Sequence, residues 1–457
     1  MNKSQLMRLS LALILGSFNQ SSSSIAAEAE SESSLEPQQT VPKVAAISYT
    51  NIAVNKHMGV ATCASSVCHG SPIERKDGNI LQNEYVIWGG DDAHSKAFTT
   101  LRSDKSKSIA RKLGLESAET AKICLDCHTD TVPKSLQGKR FLKSDGVGCE
   151  VCHGGSEHWL NSHTAGNHQQ NINNGLVELD KLEIKVKLCL DCHFGNDNQF
   201  ADHRIMGAGH PRLRFELETY GALQPFHHIE DSDYRSRKNV ETEAKTWAIG
   251  QLAYAESFLK MVQNETYFKD RLVPELSLFD CHACHSSMLS NKWRPRMTSR
   301  GLGPGKLRFN DSSLVMIRFF ADVLTPKDHR QILKEIRQLH RASAKNYTAI
   351  RKAAMVLEQR VVQLTEKMMA TEFNQQSLLL LREQIIKQGT SGEFSDYLSA
   401  EQAAMSLDLL SRRLSADEYE AISQQLDQLF EAISNENRYS PRAFKAAMQS
   451  IQLALEE

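Results

Sequence analysis

Ten cysteines fall into five pairs with none left over, and the residue after the second member of every pair is histidine. The pairs are Cys63/Cys68, Cys124/Cys127, Cys149/Cys152, Cys189/Cys192 and Cys281/Cys284, followed by His69, His128, His153, His193 and His285. With 17 histidines in 457 residues, five such coincidences have odds on the order of one in ten million. Two thiols can add to the two vinyl groups of one haem while the next imidazole reaches the iron, and C-x-x-C-H spacing allows this. Four pairs have that form (CLDCH, CEVCH, CLDCH, CHACH), whereas Cys63-Ala-Ser-Ser-Val-Cys68-His69 has four intervening residues and needs a wider loop. Zinc knuckles and disulfides also use paired cysteines, but neither demands a histidine after every pair. The residues therefore point to five covalent haems c, with the ten cysteines as attachment points and the five histidines as proximal ligands.

A chain pegged to cofactors in this way need not build its whole core from side chains. Residues 46–311 hold all five motifs, interrupted by Gly, Asn and Asp turn signals and short helical stretches. One longer helix is predicted over Val240–Gln263, with Ala248, Leu252, Ala255, Leu259 and Val262 on one face; Met261 is read as packing rather than ligating. The stretch Trp293–Arg308 gathers Arg294, Arg296, Arg300, Lys306 and Arg308, which suits either an anion or propionate clamp or a solvated basic loop. Residues 312–457 contain no cysteine and read as a haem-free succession of amphipathic helices. Thr325-Pro326 and Ser440-Pro441 are read as helix starts, and Ser399-x-x-Gln402 and Ser415-x-x-Glu418 as capping boxes. The fold class expected is mainly α, an irregular haem-packed domain followed by a helical bundle.

The first 26 residues carry Lys3 and Arg8, an apolar run from Leu9 to Phe18 and a small-residue end at Ser24-Ile25-Ala26, the pattern of a cleaved signal peptide. Residues 27–45 are rich in Ser, Glu, Gln and Pro and read as a flexible leader. Export to the periplasm is expected, with the cell surface second. No later stretch approaches the roughly 20 apolar residues of a membrane-spanning helix. Loss of Lys3 and Arg8 takes the net charge from −1 to −3, which does not suit a nucleic-acid binder. Haem propionates would add negative charge, and other redox proteins are the expected partners.

Twelve histidines remain outside the proximal set: His57, His94, His158, His163, His168, His203, His210, His227, His228, His282, His329 and His340. His329 and His340 fall on polar faces of the C-terminal helices and read as surface residues, and His282 sits inside its own attachment loop. Several of the others lie in longer signatures: His57-x5-Cys63-x4-Cys68-His69, Asp92-x-His94-x-x-Ala97, Asp145-Gly146-Val147-x-Cys149-Glu150-x-Cys152-His153-Gly154, Trp159-Leu160-x-x-His163, His203-Arg204-x-Met206-Gly207-Ala208-Gly209-His210-Pro211 and Phe279-Asp280-Cys281-x-x-Cys284-His285. Over residues 57–300 the chain resembles multihaem cytochromes of the cytochrome c-552/4 superfamily. The resemblance implies that His57, His94, His163, His203 and His210 are distal ligands of low-spin haems. His158, near His163, stands as the main substitute, and His227 and His228 in PFHHIEDSDY could lie at an iron or at a substrate-facing edge.

Electron transfer through five closely packed haems is the function this combination suggests. The alternative is an oxidoreductase acting on a small nitrogen or sulfur oxyanion at one five-coordinate haem. His227, His228 and the arginine stretch would then supply acid, base and anion clamp. The C-x-x-C-K motif of pentahaem nitrite reductases is missing from the sequence, so the resemblance does not extend to that activity.

Overall fold

The computed structural model describes residues 54–76, 80–269, 274–285, 296–303 and 305–456. The signal-peptide and leader readings, together with Trp293 and Arg294, lie outside these residues. The described chain is helical and contains no β-strand; its only sheet-like contacts are isolated bridges, such as His57 with Gln137. The helices of ten or more residues are α1 (Asp104–Leu113), α2 (Leu182–His193), α3 (Glu243–Gln263), α4 (Ser312–Leu324), α5 (Pro326–Ala342), α6 (Tyr347–Met369), α7 (Gln375–Ser391), α8 (Tyr397–Leu414), α9 (Ser423–Ala432) and α10 (Pro441–Glu456).

Up to about residue 240 the chain is a string of short helices and turns, and the cysteine motifs sit at their ends. Cys124–His128 closes the helix Lys122–His128, Cys149–His153 is itself a helix, and Cys189–His193 closes α2. The 3₁₀ turn Val60–Thr62 precedes Cys63, and another, Cys281–Ala283, begins the fifth motif. Apart from the residues that join the main core, the buried apolar cluster here is Phe98, Leu101, Ala110, Ala118 and Leu125.

The helix expected over Val240–Gln263 begins three residues later, because the Thr242 hydroxyl accepts the Lys245 amide and caps it. Its expected inner face, Ala248, Leu252, Ala255, Leu259 and Val262, is fully enclosed, and Met261 packs with it. Trp247, Ile249 and Phe258 are enclosed as well, so the helix is apolar nearly all round and must be central. It packs against α6, α4 and α2, and Gly250 lets it close onto Leu217, where a Cβ would meet that side chain at 2.8 Å. One continuous core consequently runs from Leu182 in α2 through α3 to Ile451 in α10, across the 311/312 division drawn from the sequence. Burial of each large apolar side chain such as Leu252 or Phe320 contributes about 1.5–3 kcal/mol.

Charged groups are built into this core. Arg296, fully enclosed, pairs with Asp311 and Asp396, and its guanidinium also donates to the Ser399 hydroxyl at 3.0 Å. Arg318 reaches Glu393 at 3.2 Å, and Arg308 pairs with Asp280. Arg296 and Arg308 are therefore structural cross-braces rather than a solvated loop or an anion clamp. His340 is not on the surface either: it is 0% exposed, with Nε2 3.0 Å from Asp311. The polar pattern that suggested exposure is the ion network itself. Among the helix starts, Pro326 and Pro441 open α5 and α10 and Ser415 caps Ala416–Ala421, but Ser399 lies inside α8, whose cap is Asp396 accepting the Ser399 amide at 3.0 Å.

Candidate functional site

Each histidine that follows a cysteine pair faces a second histidine. His69 lies opposite His163, with ring centroids 6.2 Å apart and planes at 19°. His128 faces His210 at 6.3 Å and 87°, and His153 faces His227 at 6.4 Å and 82°. His193 faces His94 at 6.0 Å and 87°, and His285 faces His203 at 6.2 Å and 29°. Two imidazoles binding one iron from opposite sides, at bonds of about 2 Å with ring centres about 1.1 Å further out, put the centroids about 6.2 Å apart. The five gaps thus have the size that an axially held haem needs, and all five are of one size.

The backbone and neighbouring acids orient these rings. Nδ1 of His69 bonds Glu84 at 2.9 Å, and that of His94 bonds Asp92 at 2.9 Å. Nδ1 of His128, His163 and His210 donates to the carbonyls of Ala97 (2.9 Å), Leu160 (2.5 Å) and Pro211 (2.6 Å). Occupying Nδ1 leaves Nε2 as the ligating atom and fixes the ring's orientation. The bond to Glu84 raises the His69 pKa, while desolvation pushes His153 and His193 down to about 4 and also lowers His210. A neutral imidazole is the ligating form. None of the ten residues is fully enclosed, so each keeps a side open to a planar group.

Four of the sequence-nominated distal residues, His94, His163, His203 and His210, stand opposite motif histidines, and His57 does not. His57 has the same local signature, with Nδ1 bonded to Asp130 at 2.6 Å, but its ring is 0% exposed and its Nε2 is enclosed without a hydrogen-bond partner. It is wedged against Gly155, where a Cβ would meet the ring at 2.8 Å, and its backbone is tied to Leu136 and Gly138. The ring that faces the remaining motif histidine, His153, is His227, in the segment PFHHIEDSDY, where spacing along the chain gives no signal. Of the remaining candidates, His228 stacks on Tyr234, His158 is exposed beside Glu157, and His282 lies against Tyr397.

The motifs also touch one another. The Cys63 thiol lies beside that of Cys149 and the Cys127 thiol beside that of Cys192, and Cys189 is close enough to act electrostatically on Cys152. The first motif therefore neighbours the third, the third the fourth, and the fourth the second. Buried Glu150, inside the third motif, accepts the amides of Met58, Gly59 and Ser156 at 2.8, 2.7 and 2.8 Å, pinning the N-terminal segment beside it.

Thiol pairs set beside facing imidazoles have the donor set of a c-type cytochrome, a protein that carries haem c through thioether bonds. The family model of cytochrome c554 and c-prime matches residues 62–154, spanning the first three motifs, and it supports covalently bound haem c and electron transfer. Searches of curated proteins and of solved structures return no match. Among the described residues no helix is long and apolar enough to cross a membrane.

Proposed function

We propose that the protein is an exported, periplasmic cytochrome that relays electrons through five haems c, each held by two histidines. The axial pairs assigned are His69/His163, His128/His210, His153/His227, His193/His94 and His285/His203, so His227 replaces His57 in the set inferred from the sequence. The observation that carries this reading is the recurrence of one centroid spacing, 6.0–6.4 Å, at all five motifs.

When bound, each haem c supplies one reversible one-electron centre. The chain's own residues do the rest. The cysteines would fix each haem's position, and the paired imidazoles would hold its iron and leave no place on it for a small substrate. Glu84, Asp92 and the backbone carbonyls hold the imidazoles in register. Contacts between motifs one and three, and two and four, keep the sites adjacent, which a relay requires. No feature of the geometry favours the oxyanion-reducing alternative, since His227 is engaged opposite His153 and Arg296 and Arg308 are engaged in ion pairs.

Substituting the two rival histidines separates the assignments. His227→Gly should open one iron, seen as a high-spin fraction near one haem in five. His57→Ala should leave the spectrum low-spin. The reverse result would return His57 to the ligand set. The ring planes add a second readout: pairs at 19° and 29° should give rhombic low-spin paramagnetic resonance signals, and the three at 82–87° the strongly anisotropic kind.

A further inference from the structure

The surface around the second motif carries a charge pattern that the axial pairs do not use. Helix α1 turns Ile109 and Ala110 inward. Ile109 reaches within 3.6 Å of where a Cβ on Gly209 would stand, next to His210, and Ala110 clusters with Leu125 of the second motif. The helix therefore buttresses the elements that carry both His128 and His210. Its outer side presents Lys105, Lys107, Arg111 and Lys112, all exposed.

Only Lys107 has an acid close by, Asp104 at 3.7 Å. Among the described residues, Lys105, Arg111 and Lys112 have no carboxylate within ion-pair distance. Nearby Glu119 is occupied by Arg102 at 2.7 Å and Asp126 by Lys122 at 2.6 Å, while Glu116 stays exposed at the edge. Four cations stand against one anion on this helix, in a chain whose net charge is −1. Beside it lies a recess of about 190 Å³, floored by buried Leu101 and Ala110, with Lys107 and Arg111 on the α1 side of its rim and Glu116 and Glu119 on the other. A cationic helix face beside a recess with an apolar floor is a docking arrangement: charge guides the approach and apolar contact retains the complex.

We propose that α1 is the surface on which a redox protein with a carboxylate-rich face docks, exchanging one electron with the His128/His210 site. The partner loses the electron that the site gains, or the reverse, and no proton or further reactant is required. This rests on the ligand pairing proposed above, and charge complementarity selects the occupant.

The test is stopped-flow reduction of the full holoprotein by a reduced acidic plant-type [2Fe–2S] ferredoxin, used as probe, across a range of ionic strength. The native protein should react fastest at low salt and slow steeply as salt screens the contact. Lys105→Glu/Arg111→Glu/Lys112→Glu should lower the low-salt rate by roughly ten-fold and flatten the salt dependence. The milder Lys105→Gln/Arg111→Gln/Lys112→Gln variant, judged by unchanged haem content and circular dichroism, should shift both in the same direction. Unchanged rates and slopes would overturn the proposal. So would a changed haem potential with an unchanged salt slope, which would mean that the cations serve propionates instead. Carbon monoxide binding by the native protein would break the ligand pairing but leave the salt slope untouched, so the two failures are distinguishable.

Discussion

Residues 54–181 and 312–456 are similar in length, yet they are held together in different ways. The C-terminal stretch is a set of long helices around a core in which Leu314, Phe319, Phe320, Leu357, Leu407 and Leu410 are all fully enclosed. The N-terminal stretch has one small cluster around Phe98 and Leu125, with isolated buried side chains such as Val60 and Trp159. By the usual scaling between chain length and buried area, so little apolar packing cannot offset the entropy of ordering well over a hundred residues. On the proposed reading, thioether pegs, axial imidazoles and the faces of the cofactors would take the place of side-chain packing there. A protein can thus join a region that folds by burying its own side chains to one that folds on its prosthetic groups. Helix α3 is where they meet, since it lies between the haem motifs in sequence but belongs to the helical core in space.

That division can be broken most forcefully by withholding the haems. Chain produced without covalent attachment should lose amide protection throughout residues 54–181 in hydrogen exchange while α4–α10 stay protected. Equal loss in both stretches would mean that the helical region cannot stand without its cofactor-bound neighbour. A smaller effect comes from inside the bundle. Phe320→Ala should cost about 3–5 kcal/mol in denaturant unfolding and leave the haem spectrum unaltered.

The ion network gives a pH test of similar size. Burial works to raise the pKa of Asp311 and Asp396, but Arg296 overcomes it and holds both carboxyls below their ordinary value. Their contribution is therefore present above the unfolded carboxylate pKa of about 4 and is lost as pH falls towards the folded values. The bundle's melting temperature should drop on acidification below that point. Asp311→Asn, which leaves Arg296 short of a partner, should cost about 3–5 kcal/mol at neutral pH and reduce the acid sensitivity. Ser415→Ala, removing the cap whose hydroxyl accepts the Glu418 amide at 3.3 Å, should cost only about 1 kcal/mol and be felt locally.

The same contrast explains what could be read from the amino acids alone. Attachment cysteines and proximal histidines declare themselves by adjacency, and α3 by its periodicity, because both are local patterns. A second ligand would be a contact between distant segments, so His94 and His163 could be nominated only through longer signatures, and His227 could be read only as lying at an iron or at a substrate-facing edge. His57 shows the limit clearly: its position before the first motif and its Asp130 bond both suit a ligand, and its complete enclosure, with no motif histidine facing it, separates it from the others. His340 and Arg296 mislead for a related reason, since charged residues on a helix look exposed until the opposing charge is found in another segment.

The central claim is that all five irons are closed by a second histidine, and visible absorption of the oxidised and dithionite-reduced holoprotein, with and without carbon monoxide, tests it most directly. Five haems per chain, uniformly low-spin and unshifted by carbon monoxide, are expected. A high-spin fraction near one haem in five that shifts with carbon monoxide would contradict the pairing and turn attention to a substrate at the open iron.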